Sequence, residues 1–298
     1  MNTTEYSIRS AAKINIGLHI LSKRTDGYHN IETIFYPVRI FDEISLKISA
    51  SDTPHNNIRF NIEPALSIAS ENNICLKAVE KFFNKYDIPA VYNIDIDIKK
   101  SIPVGGGLGG GSSDAASLLE ILTFNFKEKV QTRYVLNRIA MKLGSDVNYF
   151  ISNKTPADAQ KLSALYPCPA YATQRGERLR VIPHFKVNYN ILIVYPGISV
   201  STEWAYSKLN IQNEKSPVLY KVKYFKMENF KIFSNDLEEV VLNEYPAIKE
   251  IKEKMYEQGA VFSSMSGSGS SVYGFFDKSK IDNARSYFEK QGSIVFKS

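Results

Sequence analysis

From Ala12 to Ile20 the chain alternates strictly, with Ile14, Ile16, Leu18 and Ile20 on one side and Lys13, Asn15, Gly17 and His19 on the other. A period of two predicts a β-strand, and its polar side must meet water or a ligand. Asp26-Gly27 is a turn signal, Tyr28-His29 sits just beyond it, and residues 31–40 read as a second strand, so the segment predicts a hairpin with polar groups at one end. A helix is expected over 74–83. A strand follows over 92–98, where Ile94, Ile96 and Ile98 alternate with Asp95 and Asp97, as in a strand with one face in water.

After the glycine-rich stretch 105–111, Ala115, Ala116, Leu118, Leu119 and Leu122 recur at helical spacing, and another helix is expected from about 132 to 143, stopping at Gly144. Beyond about residue 175 the pattern changes. Residues 189–195 form a short apolar strand ended by Pro196-Gly197, a capped helix starts near Ser234-Asn235-Asp236-Leu237-Glu238, and a helix spans 247–257, with Lys249/Glu253 and Glu250/Lys254 as weak i,i+4 pairs. A second glycine cluster, Ser266-Gly267-Ser268-Gly269-Ser270-Ser271, runs into a strand over 272–276. Strands and helices alternate less regularly than in a doubly wound sheet, which predicts two α+β lobes meeting near 175–185.

Composition narrows the class. With 298 residues, 44% hydrophobic and 23% charged, the chain has ample core for one large or two medium domains. No apolar run approaches a membrane span, and Met1-Asn2-Thr3-Thr4-Glu5 lacks the start of a signal peptide, so a cytoplasmic location and no membrane partner are expected. Cys75 and Cys168 are too few and too far apart for a disulfide framework or zinc cluster, and four scattered histidines suggest no metal site. The net charge of +6 is modest. The densest basic stretch, Lys221-Val222-Lys223-Tyr224-Phe225-Lys226, reads as an alternating surface strand or loop, so no nucleic-acid partner is expected. A mild positive excess equally suits small phosphorylated ligands.

The most informative stretch is Pro103-Val104-Gly105-Gly106-Gly107-Leu108-Gly109-Gly110-Gly111-Ser112-Ser113-Asp114-Ala115-Ala116. Glycines expose their amides and reach positive φ cheaply, and the first turn of the following helix adds orphan donors and a positive dipole end. Together they suit a phosphate. A mobile glycine linker is the alternative, but linkers rarely run straight into a Ser-Ser-Asp cap and an apolar helix. Gly111 and Ser112 stand where a Walker loop needs Gly-Lys. A dinucleotide fold wants a buried strand immediately before the glycines and an acidic residue at a strand end later; Pro103 intervenes and Glu128 lies in a polar connection. A protein-kinase loop joins two strands, whereas here a helix follows. Asp146, in Gly144-Ser145-Asp146-Val147-Asn148, has two readings from spacing alone, a helix N-cap or a catalytic carboxylate in need of a partner.

Ala12-Lys13-Ile14-Asn15, residues 103–116 and Ser266-Gly267-Ser268-Gly269, in that order, resemble the three motifs of the GHMP small-molecule kinases. Thr25-Asp26-Gly27-Tyr28-His29 with Thr33 and Phe35, Leu143-Gly144-Ser145-Asp146-Val147, Pro196-Gly197-Ile198-Ser199-Val200-Ser201-Thr202 and Asn235-Asp236-Leu237-Glu238 extend the likeness over nearly the whole chain. They are similar to the branch that acts on a cytidine-diphosphate-linked methylerythritol in the non-mevalonate route to isoprenoid precursors. The resemblance implies an α+β, two-lobed fold: an ATP-binding ribosomal-protein-S5-like lobe over 1–176 and a ferredoxin-like lobe over 177–298. It also implies ATP as phosphoryl donor with Mg²⁺ expected beside it, the cytidine-linked substrate as acceptor, and a monomer or homodimer.

The same resemblance brings Lys13 and Asp146 together beside the accepting hydroxyl. Asp146 would take the proton as the oxygen–phosphorus bond forms, while Lys13 would orient it and offset charge on the transferred group. Pro103 to Ser113, that is Pro103, Val104, Gly105, Gly106, Gly107, Leu108, Gly109, Gly110, Gly111, Ser112 and Ser113, would wrap the phosphates of ATP, with Lys100 and Asn73 added from position. Asn15, Tyr28, His29 and Tyr206 match positions near the nucleotide part of the acceptor, with Tyr206 against cytosine, although Tyr28 and Tyr206 also read as core or interface aromatics. Gly267 and Gly269 would close the floor of the acceptor site, or form a hairpin turn alone. Two departures stand out: an insertion of about 14 residues, 155–168, read as a surface loop or a helical turn beside the acceptor pocket, and Gln174 where a glycine is expected before Arg175-Gly176-Glu177. The alternatives are another kinase of the superfamily with a mevalonate-like or sugar acceptor, and a non-catalytic nucleotide-binding sensor.

Overall fold

The computed structural model describes residues 3–65, 73–86, 88, 91–130, 133–152, 166–211, 213–222 and 227–298. The chain divides into two compact units: Met1–Ala12, Phe41–Ile102 and Gly110–Pro167 form one, and Lys13–Ile40, Pro103–Gly109 and Cys168–Ser298 the other. The units are therefore interleaved along the sequence and do not meet at a single boundary near 175–185. The last crossing falls at 167/168. The physical reason is that β1 (Thr4–Lys23) and β2 (His29–Ala50) are 20 and 22 residues long, so each strand contributes residues to both units.

In the first unit, residues 43–50 of β2 pair antiparallel with β4 (Tyr92–Lys99), and β3 (Asn57–Glu63) lies parallel to β4. The expected alternation of β4 is met: Ile94, Ile96 and Ile98 are buried. Helix α1 (Ile74–Tyr86) is capped by Asn73, whose Oδ1 accepts from the amides of Cys75 (2.9 Å) and Leu76 (3.4 Å). Helix α2 (Gly110–Asn125) packs against α1 and against α4 (Ser145–Ser152), which follows α3 (Arg133–Leu143). Ala115, Ala116, Leu118, Leu119, Ile121 and Leu122 are all buried, as are Asp114, Ser117 and Glu120, so α2 is a central helix covered on every side. Each buried leucine or isoleucine contributes about 1.5–3 kcal/mol.

Two local expectations need correction here. Helix α2 begins at Gly110, so Ser112, Ser113 and Asp114 lie inside its first turns and do not cap it. Asp146 is the second residue of α4, and the Gly144 carbonyl accepts from Asn148 N at 3.4 Å, so the N-cap reading of Asp146 is wrong. Residues 155–165 of the insertion lie outside the described residues, as do residues 223–226 of the basic stretch; Leu219–Lys221 form a single 3₁₀ turn.

In the second unit, residues 31–35 of β2 pair antiparallel with β5 (Ala170–Gln174), which pairs with β6 (Arg178–Val181). Gln174 has a φ of 61°. The backbone thus keeps the left-handed turn that glycine would adopt freely, with a side chain in place of the hydrogen. A separate antiparallel sheet has the order β10-β7-β9-β8, built from β7 (Asn190–Tyr195), β8 (Phe262–Met265), β9 (Val272–Phe276) and β10 (Ile294–Lys297). Helices α7 (Pro246–Glu257) and α8 (Ile281–Lys290) pack on it, and their Ile248, Met255, Ile281 and Phe288 close a core with Leu192, Val194, Val272 and Phe276. Two shorter helices, α5 (Thr202–Ser207) and α6 (Glu238–Glu244), complete the unit. Helix α6 starts at Glu238, the last residue of the stretch where its start is expected, and just ahead of it Asn235 Oδ1 accepts from Leu237 N.

One buried carboxylate in this unit has no counter-ion among the described residues. Glu32, on β2, accepts from the amides of Val218 (2.6 Å) and Leu219 (3.0 Å) and from the Tyr171 hydroxyl (3.1 Å).

Candidate active site

The polar face of β1 does not meet water. Lys13 and Asn15 are each 4% exposed. Lys13 Nζ donates to Asn15 Oδ1 at 2.7 Å and to the Gly107 carbonyl at 3.2 Å, and it lies 5.3 Å from the centre of the Phe35 ring. Asn15 Nδ2 donates to Thr33 Oγ1 at 3.0 Å. Strand alternation thus delivers an ammonium and an amide to one face, where the neighbouring strand and the glycine loop receive them.

The first half of the glycine loop, residues 103–109, belongs to this same unit and is fastened by its carbonyls. Tyr195 Oη donates to Val104 O (3.2 Å), Ser271 N to Gly106 O (3.1 Å), Ser266 Oγ to Gly107 O (2.9 Å) and Lys13 N to Leu108 O (2.9 Å). Among the described residues, no amide from 104 to 109 donates to another group of the chain. A row of bound carbonyls and unengaged amides is what an anion-binding backbone requires. Gly105 and Gly107 have φ of 69° and 75°, and a Cβ there would lie 2.1 Å from Ser199 Oγ and from the Ser266 carbonyl oxygen, respectively. Only glycine fits this path. Gly267 and Gly269 also take positive φ, 59° and 89°, in the turn that presses Ser266 against Gly107.

The second half of the motif lies in the first unit, where Gly110 to Ser113 form the opening turn of α2. Gly111 is exposed, Ser112 half-buried and Ser113 buried, its Oγ without a hydrogen-bond partner among the described residues. Lys100, expected on position to reach phosphate, has its ammonium engaged instead: it donates to Asp42 Oδ2 and, at 2.6 Å, to Asp114 Oδ2, and is only 5% exposed. Asp42 Oδ1 also accepts the amides of Ser101 and Ile102, and Asp114 Oδ1 accepts Ser10 Oγ at 2.6 Å. Burial pushes the Asp114 carboxyl up to about 6, against the pull of Lys100 and with the help of the Asp42 charge. Burial opposes charge on Lys100 too, but the two carboxylates outweigh it and raise its affinity for the proton. Asn73 likewise spends its side chain on the cap of α1. Asp146 is half-buried in the first turn of α4, in the first unit, whereas Lys13 belongs to the second.

The nucleotide-side candidates cluster within the second unit. The rings of His29 and Tyr206 lie 5.3 Å apart at 32°, and the Arg175 guanidinium covers the Tyr28 ring at 4.9 Å. Burial and the nearby Lys23 charge lower the proton affinity of His29. Tyr28 is 57% exposed, against the reading of it as a core aromatic. Sequence reasoning assigned no role to Arg175, Ser266 or Thr33; alternation on β2 places Thr33 toward Asn15, but the pairing of Arg175 with Tyr28 depends on a turn that motif spacing does not reveal.

Residues 73–157 match the GHMP kinases N terminal domain and residues 226–294 the GHMP kinases C terminal domain. The 4-diphosphocytidyl-2-C-methyl-D-erythritol kinase of Azobacteroides pseudotrichonymphae is 37% identical over 268 residues, 90% of this chain and 92% of its own. That of Chlorobium limicola is 36% identical over 295 residues, 96% and 94% of the two chains. A crystal structure of 4-(cytidine 5'-diphospho)-2C-methyl-D-erythritol kinase superposes with a TM-score of 0.76 at 24% identity, covering 99% of this chain and 98% of that one. The Methanococcus jannaschii mevalonate kinase superposes at 0.65 with 15% identity, covering 99% and 98%. These likenesses establish the fold.

Proposed function

Because the chain belongs to the GHMP kinases, and within them to the 4-diphosphocytidyl-2-C-methyl-D-erythritol kinases, we infer that it transfers the γ-phosphoryl group of ATP to a hydroxyl of 4-diphosphocytidyl-2-C-methyl-D-erythritol. The products are the 2-phosphate and ADP, and the step belongs to the non-mevalonate route to isoprenoid precursors. The observation that carries the reading is the glycine loop. Its carbonyls are held by Tyr195, Ser271, Ser266 and Lys13 while its amides remain unengaged, which suits the oxygens of a triphosphate.

In this reading Asp146 accepts the hydroxyl proton as the new O–P bond forms and the bond to the β-phosphate oxygen breaks. The Lys13 ammonium, already directed at the Gly107 carbonyl, offsets charge on the group in transit. The amides of residues 104–113 would hold the donor phosphates, and Mg²⁺ on those phosphates would supply neutralisation of their charge. Tyr28, His29, Tyr206 and Asn15 serve the cytidine side of the acceptor. An aromatic pair such as His29 and Tyr206 suits the π face of a base. Lys100 and Asn73 act on the protein itself, through α2 and α1.

The test is transfer of radiolabelled phosphate from ATP by the purified protein to the cytidine-linked acceptor, with mevalonate, homoserine and galactose in parallel. Turnover confined to the cytidine-linked acceptor supports the reading. Preferred turnover of another acceptor assigns the chain to a different branch of the superfamily, and nucleotide binding without any transfer makes it a sensor.

A further inference from the structure

We propose that Asn235 is a positioning residue for phosphoryl transfer, fixing the register between the strand that carries Lys13 and the glycine turn 266–269. Its side chain is 5% exposed. Nδ2 spends both hydrogens on that turn, donating to the carbonyls of Met265 (2.9 Å) and Gly267 (2.8 Å), while Oδ1 accepts from Leu237 N (3.0 Å). The two carbonyls it holds flank Ser266.

The backbone of the same residue is pinned to β1. Leu18 N donates to Ser234 O (2.9 Å) and Asp236 N to Leu18 O (2.8 Å), so Asn235 is bridged to Leu18 on the strand that bears Lys13 and Asn15. From the turn the connection returns to that strand: Ser266 Oγ accepts from Asn15 N at 3.3 Å and donates to Gly107 O at 2.9 Å, the carbonyl that also receives Lys13 Nζ at 3.2 Å. One amide side chain therefore closes a loop of contacts through strand, turn, glycine loop and ammonium. All of these residues lie in one compact unit.

No other common side chain does this at the same size. Aspartate has the same shape but offers oxygen to two carbonyl oxygens, and serine offers one donor where two are used. A displacement of the turn of about 1 Å would misplace the Ser266–Gly107–Lys13 contacts and slow transfer on the order of 100-fold without weakening substrate binding to match.

The experiment compares Asn235→Asp and Asn235→Ser, singly and combined with Lys13→Met, reading kcat, both KM values and thermal unfolding. Glu238→Gln is the structural comparator: Glu238 accepts from Ser264 Oγ and Met265 N and pairs with Lys252, so it braces β8 beneath the turn. The expected result is a fall in kcat of roughly 10- to 100-fold in both Asn235 variants, KM values within about threefold, and almost no additional loss in the Lys13→Met background. Glu238→Gln lowers the melting temperature and leaves kcat near wild type. Folded Asn235 variants with wild-type kcat, losses that add to that of Lys13→Met, or activity that merely tracks melting temperature across all variants would overturn the inference. The role of Asn235 rests on Lys13 serving the transfer. Wild-type turnover by Lys13→Met would defeat that premise, whereas a slow Lys13→Met beside a fast Asn235→Ser defeats only the role of Asn235.

Discussion

The Lys100 ammonium donates to the Asp114 carboxylate at 2.6 Å, and the same ammonium holds Asp42, so two buried acids share one base beneath the first turn of α2. A Cβ on Gly110 would come within 3.2 Å of Lys100 Nζ, so the ammonium sits directly under the start of the helix. Lys100→Met removes the only described counter-charge of two buried carboxylates, a change that typically costs about 3–5 kcal/mol. Urea unfolding is expected to show that loss. A stability within about 1 kcal/mol of wild type would mean the acids find other compensation.

The same cluster predicts a pH dependence. Asp114 titrates near 6 in the folded chain against 3.8 for an ordinary aspartate. A carboxyl whose proton is held more tightly by the fold stabilises it most below the unfolded value, and that contribution is lost as pH rises through the folded value. The difference in stability between wild type and Asp114→Asn is therefore expected to move against wild type between about pH 4 and pH 6.5. Chemical denaturation across that range gives the slope, and a difference that moves toward wild type would contradict it.

Gly107→Ala tests the backbone path. The added methyl group would meet the Ser266 carbonyl at 2.1 Å at a φ of 75°, where side chains are strained in any case. We expect kcat/KM for ATP to fall on the order of 100-fold, since the amides that receive phosphate are displaced. A value within about fivefold of wild type would show that the loop tolerates another course.

Asp146→Asn removes the proposed proton acceptor while keeping the side chain's shape. A fall in kcat of about 100-fold or more with little change in either KM is the expected steady-state signature of a lost general base. Unaltered kcat would exclude that role.

Gln174→Gly is expected to stabilise the chain. The left-handed backbone costs a side-chain-bearing residue roughly 1–2 kcal/mol, which exceeds the roughly 0.5–1 kcal/mol of extra freedom glycine has in the unfolded state. The φ of 61° at an exposed position gives the new residue no contact to lose beyond the glutamine itself. A small rise in melting temperature confirms the account, and a fall refutes it.

These residues also show how far the sequence could be read. Period-two alternation located β1 and β4 because it depends only on the pleat, and the glycine run marked a backbone path on which Gly105, Gly107 and Gly109 take positive φ at no steric cost. Alternation separates polar from apolar, however, and does not distinguish water from a protein partner, so the burial of Lys13 and Asn15 was invisible. The start of α2 was misjudged because glycines are poor helix formers that tertiary packing overrode at Gly110 and Gly111. Helix α8 escaped notice since its buried side, Ile281, Ala284 and Phe288, is thin and set among charges. Asn235 resembled an ordinary helix cap, but its partners Met265 and Gly267 lie 30 and 32 residues away, and pairing at that range leaves no local trace. The interleaving of the two units follows from the length of β1 and β2, which no shift in composition marks.

Glu32 carries a last consequence. Residues 213–218 form neither helix nor strand, but the stretch is moored at its far end, because the Val218 and Leu219 amides donate to the buried Glu32 carboxylate. Peeling that stretch away would leave the carboxylate with the Tyr171 hydroxyl as its one remaining donor among the described residues, at an expense of about 1.5–3 kcal/mol for each amide lost. An outwardly irregular ribbon is thereby as firmly tethered as the pleated layer beneath it, and its amides at 218 and 219 should exchange with deuterium as slowly as those of β2.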